Sequence, residues 1–246
     1  MEVKKREVLF SLIIVLAMLA SGFWISEIIS DNIDLKLETY TTAVQIEDEE
    51  QFDYGMRTNF GNALVYGTFS ANQPVTFGEL GGEYLEATKT KQRYTMHTRT
   101  YTTTDSKGHT QTHTEIYWSW DYAGNETRRC ESVNFLGHDF ARSRFQFNNF
   151  ESAHMPDGNY YNYESSSVRY YYSVIPATFD GTIHTDLISG DIGEQIQIFY
   201  GQRPADVVAS KLDNKNIPIV MFWVVWVFLT ACTVVAFVYH ENRWLD

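Results

Sequence analysis

Cysteine is nearly absent from this chain. Only Cys130 and Cys232 occur in 246 residues, so the fold cannot rest on a disulfide framework. Basic residues are scarce too: 19 stand against 31 acidic ones, for a formal net charge of −12. Contacts to phosphates need clustered lysine and arginine, and this balance excludes nucleic acid as a partner. No long run of like charge suggests a tail. The nearest, EDEE at Glu47–Glu50, reads as a solvated loop and lacks the spaced acidic pattern of a calcium-binding loop.

Catalytic signatures are also missing. There is no HExxH, no GxSxG and no phosphate-cradling glycine loop. LGHDF sets His138 beside Asp139, but neighbours on a strand point to opposite faces and make no catalytic pair. The residues therefore read as a non-enzyme with no cofactor and no metal site. An unrecognised membrane-anchored hydrolase is the remaining enzymatic alternative.

What the chain does have is two long uncharged apolar runs. Val8–Ser26 holds 19 residues and Ile217–Tyr239 holds 23, neither with a charge. A bilayer core about 30 Å thick needs about 20 helical residues, so both runs are expected to be transmembrane helices. The first is longer than the usual core of a signal peptide and lacks a clear cleavage site, which favours an uncleaved anchor. Lys4, Lys5 and Arg6 precede it, whereas Glu27, Asp31 and Asp34 follow it. Positive flanks stay cytoplasmic. The chain then divides into a cytoplasmic start (1–7), a helix (8–26), an extracytoplasmic domain (27–216), a second helix (217–239) and a cytoplasmic tail (240–246). Lys211 and Lys215 fall on the less favoured side. Trp24, Trp223 and Trp226 would lie at the outer interface, and Tyr239 and Trp244 at the inner one. Ala17 with Ser21, and Cys232 with Ala236, are small residues at helix-pairing spacing, and the two helices are expected to pack, within or between chains. Neither carries an ionisable residue in its middle, which argues against transport.

The intervening segment carries the whole −12. It is rich in threonine and tyrosine, and its glycine-marked turns are frequent. Candidate strands are Ala63–Phe69, Arg93–Thr104, His109–Trp120, Phe145–Phe150, Ser167–Ile175 and Gln195–Tyr200. Turns are expected at Met155–Asn159 (MPDGN), Phe179–Thr182 (FDGT) and Ser189–Asp191. Ile28–Thr41 alternates after Asp34 and reads as a strand, while Arg203–Leu212 reads as a helix with Pro204 in its first turn. The expected fold is mostly β: an antiparallel sheet or sandwich ectodomain held between an N-terminal and a C-terminal transmembrane helix.

The run YTMHTRTYTTTDSKGHTQTHTEIYWSWD, Tyr94–Asp121, specifies a hairpin in detail. A three-residue loop, Ser106-Lys107-Gly108, puts Gly108 where a left-handed residue is needed. Tyr94, Met96 and Thr98 then share a face with Trp120, Trp118 and Ile116. The other face pairs His97 with Tyr117, Arg99 with Glu115 and Tyr101 with His113. His109 and His113 lie about 13 Å apart along such a strand, too far to share a zinc ion. The tip beyond Thr100 is polar on both faces and is expected to project.

Asn159–Val174, NYYNYESSSVRYYYSV, is a second aromatic concentration. Tyr160, Tyr161, Tyr163, Tyr170 and Tyr172 form a candidate interaction surface. The expected role is that of an integral membrane protein, a scaffold or interaction subunit with a protein partner or a second copy of itself. A module that binds or senses cell-surface glycan is the alternative, because exposed tyrosines also suit sugar stacking.

Overall fold

A computed structural model of the chain describes residues 5–243; Lys4 and Trp244, invoked above for orientation and for the inner aromatic belt, lie outside them. The elements in chain order are α1 (Lys5–Thr41), β1 (Val44–Ile46), α2 (Glu49–Thr58), β2 (Gly61–Ala71), β3 (Tyr84–Thr104), β4 (Thr110–Arg129), β5 (Ser132–Phe135), β6 (His138–Ala141), β7 (Glu151–Ala153), β8 (Asn162–Ser165), β9 (Val168–Pro176), β10 (Thr178–Ile188), β11 (Asp191–Ile192), β12 (Gln197–Tyr200), α3 (Pro204–Asp213) and α4 (Ile217–Arg243). The chain is mostly β and forms two units. One is built from α1, α3 and α4; the other is the β-rich lobe, Gln45–Arg203.

In the helical unit, α1 and α4 are each long and apolar enough to cross a membrane. They pack on each other, and Ser11, Ile14, Met18, Gly22 and Ile25 on α1 and Phe222, Trp226, Thr230 and Val234 on α4 are among the less exposed positions, at helical spacing. Trp226 donates its indole N–H to the Met18 carbonyl at 2.8 Å, and Trp223 donates to Ser26 Oγ at 3.2 Å. The strand expected over Ile28–Thr41 is instead the continuation of α1. A helix already nucleated by the 19-residue uncharged run extends at little cost. Ile29, Ile33, Leu37 and Tyr40 recur at helical spacing and are its less exposed positions. The Leu35-x-Leu37 alternation was too short to overrule that period. The helix expected at Arg203–Leu212 is α3, and its Lys211 ammonium lies 4.8 Å from the Tyr40 ring centre.

The β-rich lobe has two sheets, and every pair that defines their strand order is antiparallel. The first runs β11-β10-β2-β5-β6, with β1 on β2 and β12 on β10; the second runs β4-β3-β9-β7, with β8 on β9. The main core lies on the first sheet. Phe69 sits at its centre, in ring contact with Phe135, Phe145, Phe147 and Phe179. From the strands of the second sheet, only Leu85 and Ile175 join this core, so the sheets meet at one end rather than stacking along their length as a sandwich would. A smaller core of Phe77, Leu80, Ala87, Ala153, Tyr172 and Val174 belongs to the second sheet alone.

Three local expectations are corrected. EDEE is exposed but only half of it is a loop: Glu49 and Glu50 open α2, Asp48 caps it, accepting from the Gln51 N–H at 2.8 Å, and the helix buries Phe52 and Met56. Phe145–Phe150 joins no ladder; Phe145 and Phe147 are buried, and the Asn148 N–H donates to the Tyr200 hydroxyl at 2.9 Å. FDGT is no turn but lies near the start of β10. Gly181 is there because a Cβ would come within 2.9 Å of the Phe199 carbonyl oxygen on the neighbouring strand.

Candidate functional site

The hairpin adopts the expected register residue by residue. Tyr94 faces Trp120, Met96 faces Trp118, Thr98 faces Ile116, Arg99 faces Glu115 and Tyr101 faces His113. At the tip, the Asp105 N–H donates to the His109 carbonyl at 2.9 Å, and Gly108 takes φ +83. Strand β9 accompanies β3 only as far as Arg93, opposite Val168. Beyond that point β3 and β4 continue as a two-stranded ribbon of 11 residues per strand on the β3 side, about 35 Å long.

Contrary to what an apolar face implies, this one covers no core. Met96 is 55% exposed, Trp118 54%, Ile116 61% and Tyr122 67%. It also continues onto the sheet. Gln92 lies opposite Tyr122 on one side and Arg169 on the other, which brings β9 onto the same surface. The Arg169 guanidinium lies over the Trp120 ring at 4.2 Å and the Tyr161 ring at 3.7 Å, held by a 2.8 Å hydrogen bond from its Nε to Gln92. From there the rings run on: Tyr161 contacts Tyr160 at 4.6 Å, Tyr160 stacks on Tyr171 at 6.0 Å, and Tyr163 meets Trp120 at 6.1 Å. The hairpin and the tyrosine run, separate in the sequence, are thus one aromatic surface with Arg169 at the join.

The candidate tyrosines divide between two faces of the sheet. Tyr160, Tyr161 and Tyr163 lie on the aromatic surface. Tyr170 is on the opposite face, half-buried, donating its hydroxyl to Glu164 at 2.5 Å. Tyr172 is no surface residue: it is fully buried against Phe77, with its hydroxyl donated to Glu79 at 2.9 Å. Lys89 bonds the same Glu79 carboxylate, and this bond, with a backbone N–H and the Tyr172 hydroxyl, holds the Glu79 carboxyl down at about 2. The small residues proposed for helix pairing do not line the α1–α4 seam. Ala17, Cys232 and Ala236 are exposed, and Ser21 turns its hydroxyl back to the Ala17 carbonyl at 2.8 Å. The close approach is made by Gly22, which is buried beneath Trp223 and Trp226.

No family model, curated protein or solved structure matches the chain. Any role therefore has to be read from the residues.

One cluster has the makings of a nucleophile triad. On the polar face of the ribbon, His97 Nε2 lies 3.1 Å from Thr95 Oγ1 and 2.5 Å from Asp121 Oδ2, while Ser119 donates to the other Asp121 oxygen at 2.8 Å. A relay needs the hydroxyl and the carboxylate on different ring nitrogens. Here one nitrogen meets both, and the Thr95 hydroxyl also bonds Asp121 directly. The Ser119 and His97 hydrogen bonds lower the Asp121 pKa, which fits a structural clasp between β3 and β4. The ribbon's other two histidines stay apart: His113 bonds Thr103 at 2.9 Å, and His109 bonds Asp105 at 3.0 Å. Among the described residues, no three His, Cys, Asp or Glu side chains come together as metal ligands.

Proposed function

We propose that the chain is a membrane-anchored, non-enzymatic interaction subunit. In this reading Val8–Ser26 and Ile217–Tyr239 cross the cell membrane with both termini cytoplasmic, and the β-rich lobe offers its aromatic surface to a protein partner outside. The length and uncharged character of both helices support the anchoring, and the basic flank before the first supports the orientation.

One observation carries the interaction reading: the exposed apolar face of a ribbon that projects beyond its third strand. A two-stranded hairpin is at best marginally stable alone in water, and a contiguous exposed patch of this kind marks a contact surface. Its composition of Trp, Tyr, Met and Arg is that of energetic centres at protein interfaces. No carboxylate stands among the residues of this face, although the lobe is strongly acidic. Glycan is less well served. The rings pack on one another, and the polar groups among them, Arg169 and Gln92, bond each other.

The test is a photo-crosslinking residue at Trp118 in the full chain in intact membranes, with the exposed tip position Tyr101 as comparison. Protein adducts concentrated at 118 are expected. Adducts no more frequent at 118 than at 101 would remove the reading.

A further inference from the structure

A different feature of the same ribbon, its outer backbone edge, carries an inference of its own. Among the described residues β4 pairs with β3 alone, so it is the edge of its sheet over all 20 residues. The Tyr94 N–H donates to the Ser167 carbonyl at 2.8 Å, on the side away from β4. Tyr94 and Trp120 are therefore a non-hydrogen-bonded pair, and the backbone groups of Trp120 point away from β3. The same holds for every second residue: Thr112, Thr114, Ile116, Trp118 and Tyr122 turn N–H and C=O outward as well.

Proteins blunt such edges with bulges, prolines and charges. The base of β4 has these devices. The register shifts opposite Lys91, Gly124 takes φ +123, and Glu126 and Arg128 pair at 3.1 Å. Thr110–Ala123 has none of the usual ones: no proline, no glycine, no lysine or arginine, and a regular ladder to Tyr122. Its two acidic residues are already engaged, Glu115 with Arg99 at 2.8 Å and Asp121 with His97 at 2.5 Å. The other free edge, β3 beyond Tyr94, is shorter because β9 occupies it up to Arg93.

We propose that β4 pairs antiparallel with β4 of a second copy, about a two-fold axis through Tyr117, joining the two five-stranded sheets into one. A strand meeting itself across a two-fold axis is antiparallel by construction, so the edge is its own complement. Three observations select the second copy and the register. The middle of the unblunted run falls between Ile116 and Tyr117. Keeping both apolar faces on one side requires partners of equal parity, since a one-residue slip would turn one copy's tryptophans to the other face. An axis at Tyr117 also sets Ile116 opposite the second copy's Trp118, and His113 opposite its Asp121. About a dozen backbone hydrogen bonds would form between outward-facing residues, and the two aromatic surfaces would become one of double width.

Cysteines introduced singly at Glu115, Tyr117 and Ser119, in the full chain with Cys232→Ser, test this in membranes under mild oxidation. Opposed residues at a non-hydrogen-bonded position have Cα atoms about 4.5 Å apart, within disulfide reach. Two copies of position 115, or of 119, would be about 13 Å apart. Tyr117→Cys is therefore expected to give disulfide-linked dimer, and Glu115→Cys and Ser119→Cys alone none. The double variant E115C/S119C should link again, because 115 then faces 119. Equal yields at all three positions, or no linkage in either Tyr117→Cys or the double variant, would each overturn the proposal. A photo-adduct to another protein at Trp118 without a 117 disulfide would overturn the pairing and leave the interaction reading intact.

Discussion

The guanidinium of Arg169 lies 3.7 Å from the centre of the Tyr161 ring, with the Trp120 ring on it at 4.2 Å. Two stretches distant in sequence meet at this cation: the hairpin, and the Tyr-rich run that leads into β9. A cation against aromatic faces contributes about 0.5–1 kcal/mol at exposed sites and about 2 when desolvated. Arg169 is half-buried, so Arg169→Ala is expected to lower the stability of the β-rich lobe by about 1 kcal/mol. It should also free Trp120. The check is a urea titration of the full chain in detergent, with quenching of tryptophan emission by iodide. Arg169→Lys should recover only part of the loss, because an ammonium cannot stack on two rings while donating to Gln92. An unchanged midpoint together with unchanged quenching would show that Arg169 does not hold the surface together.

A second cationic cluster is buried deeper. Glu86 is 2% exposed, and its carboxylate takes Arg129 at 3.1 Å on one oxygen and Arg142 on the other. Removing one partner of a buried ion pair leaves uncompensated charge and costs about 3–5 kcal/mol. Arg129 is half in solvent and will rehydrate, so Glu86→Gln belongs at the low end, about 3 kcal/mol. At roughly 2–4 °C per kcal/mol for a domain of this size, the thermal midpoint should fall by roughly 10 °C. Differential scanning calorimetry of the full chain measures it, and a fall of less than about 3 °C would show that the cluster is not the strut its burial implies.

The hairpin was legible to the residue because one face alternates with period two and the turn residues admit a single loop length. The helix α2 is equally legible in principle: Asp48 and Gln51 have the spacing of a capping box ahead of Phe52 and Met56, although the acidity of the run resembles that of a solvated loop. In β10, Asp180-Gly181 imitates a turn. Only the neighbouring strand reveals that the glycine admits the Phe199 carbonyl, and that strand is a non-local fact. The same reason hid the aromatic surface as a whole. Tyr94–Trp120 and Tyr160–Tyr163 were each visible, but their union depends on the β3–β9 register, which places Arg169 opposite Gln92. Tyr172 was assigned to a surface for want of the Phe77–Leu80 segment that covers it.

Glu79 makes the lobe sensitive to acid. Its carboxyl is held down at about 2, against an ordinary value of 4.5, by the hydrogen bond from Lys89, a backbone N–H and the Tyr172 hydroxyl. A carboxyl depressed in the folded state stabilises above its unfolded value and loses that stabilisation as pH falls through the folded one. The window is therefore from pH 4.5 down to about 2. Lys89 is desolvated, which alone would lower its pKa, yet the bond to Glu79 leaves it raised, so it stays charged across this window. Urea midpoints taken at intervals between pH 5 and 2 should fall more steeply for the wild-type chain than for Glu79→Gln. Parallel curves would mean that the pair contributes nothing to folding.

Gly22 tests the helix pair. A Cβ built there would lie 2.5 Å from Trp226 Nε1 and 3.2 Å from the Trp223 ring. These indoles hold the seam through hydrogen bonds to the Met18 carbonyl and Ser26. Any side chain at 22 must displace both rings, and if the helices lie in lipid as proposed, no hydrophobic gain compensates for lost packing. Gly22→Val should therefore loosen the seam, whereas Ala17→Val and Ala236→Val, at exposed positions, should not. The measurement is quenching of tryptophan emission by brominated lipid, in the full chain with both indoles in place. Quenching should rise with Gly22→Val and stay at the wild-type level with the other two. If instead Ala17→Val or Ala236→Val raised it and Gly22→Val did not, the small-residue spacing would be the contact, and the Gly22 seam would be wrong.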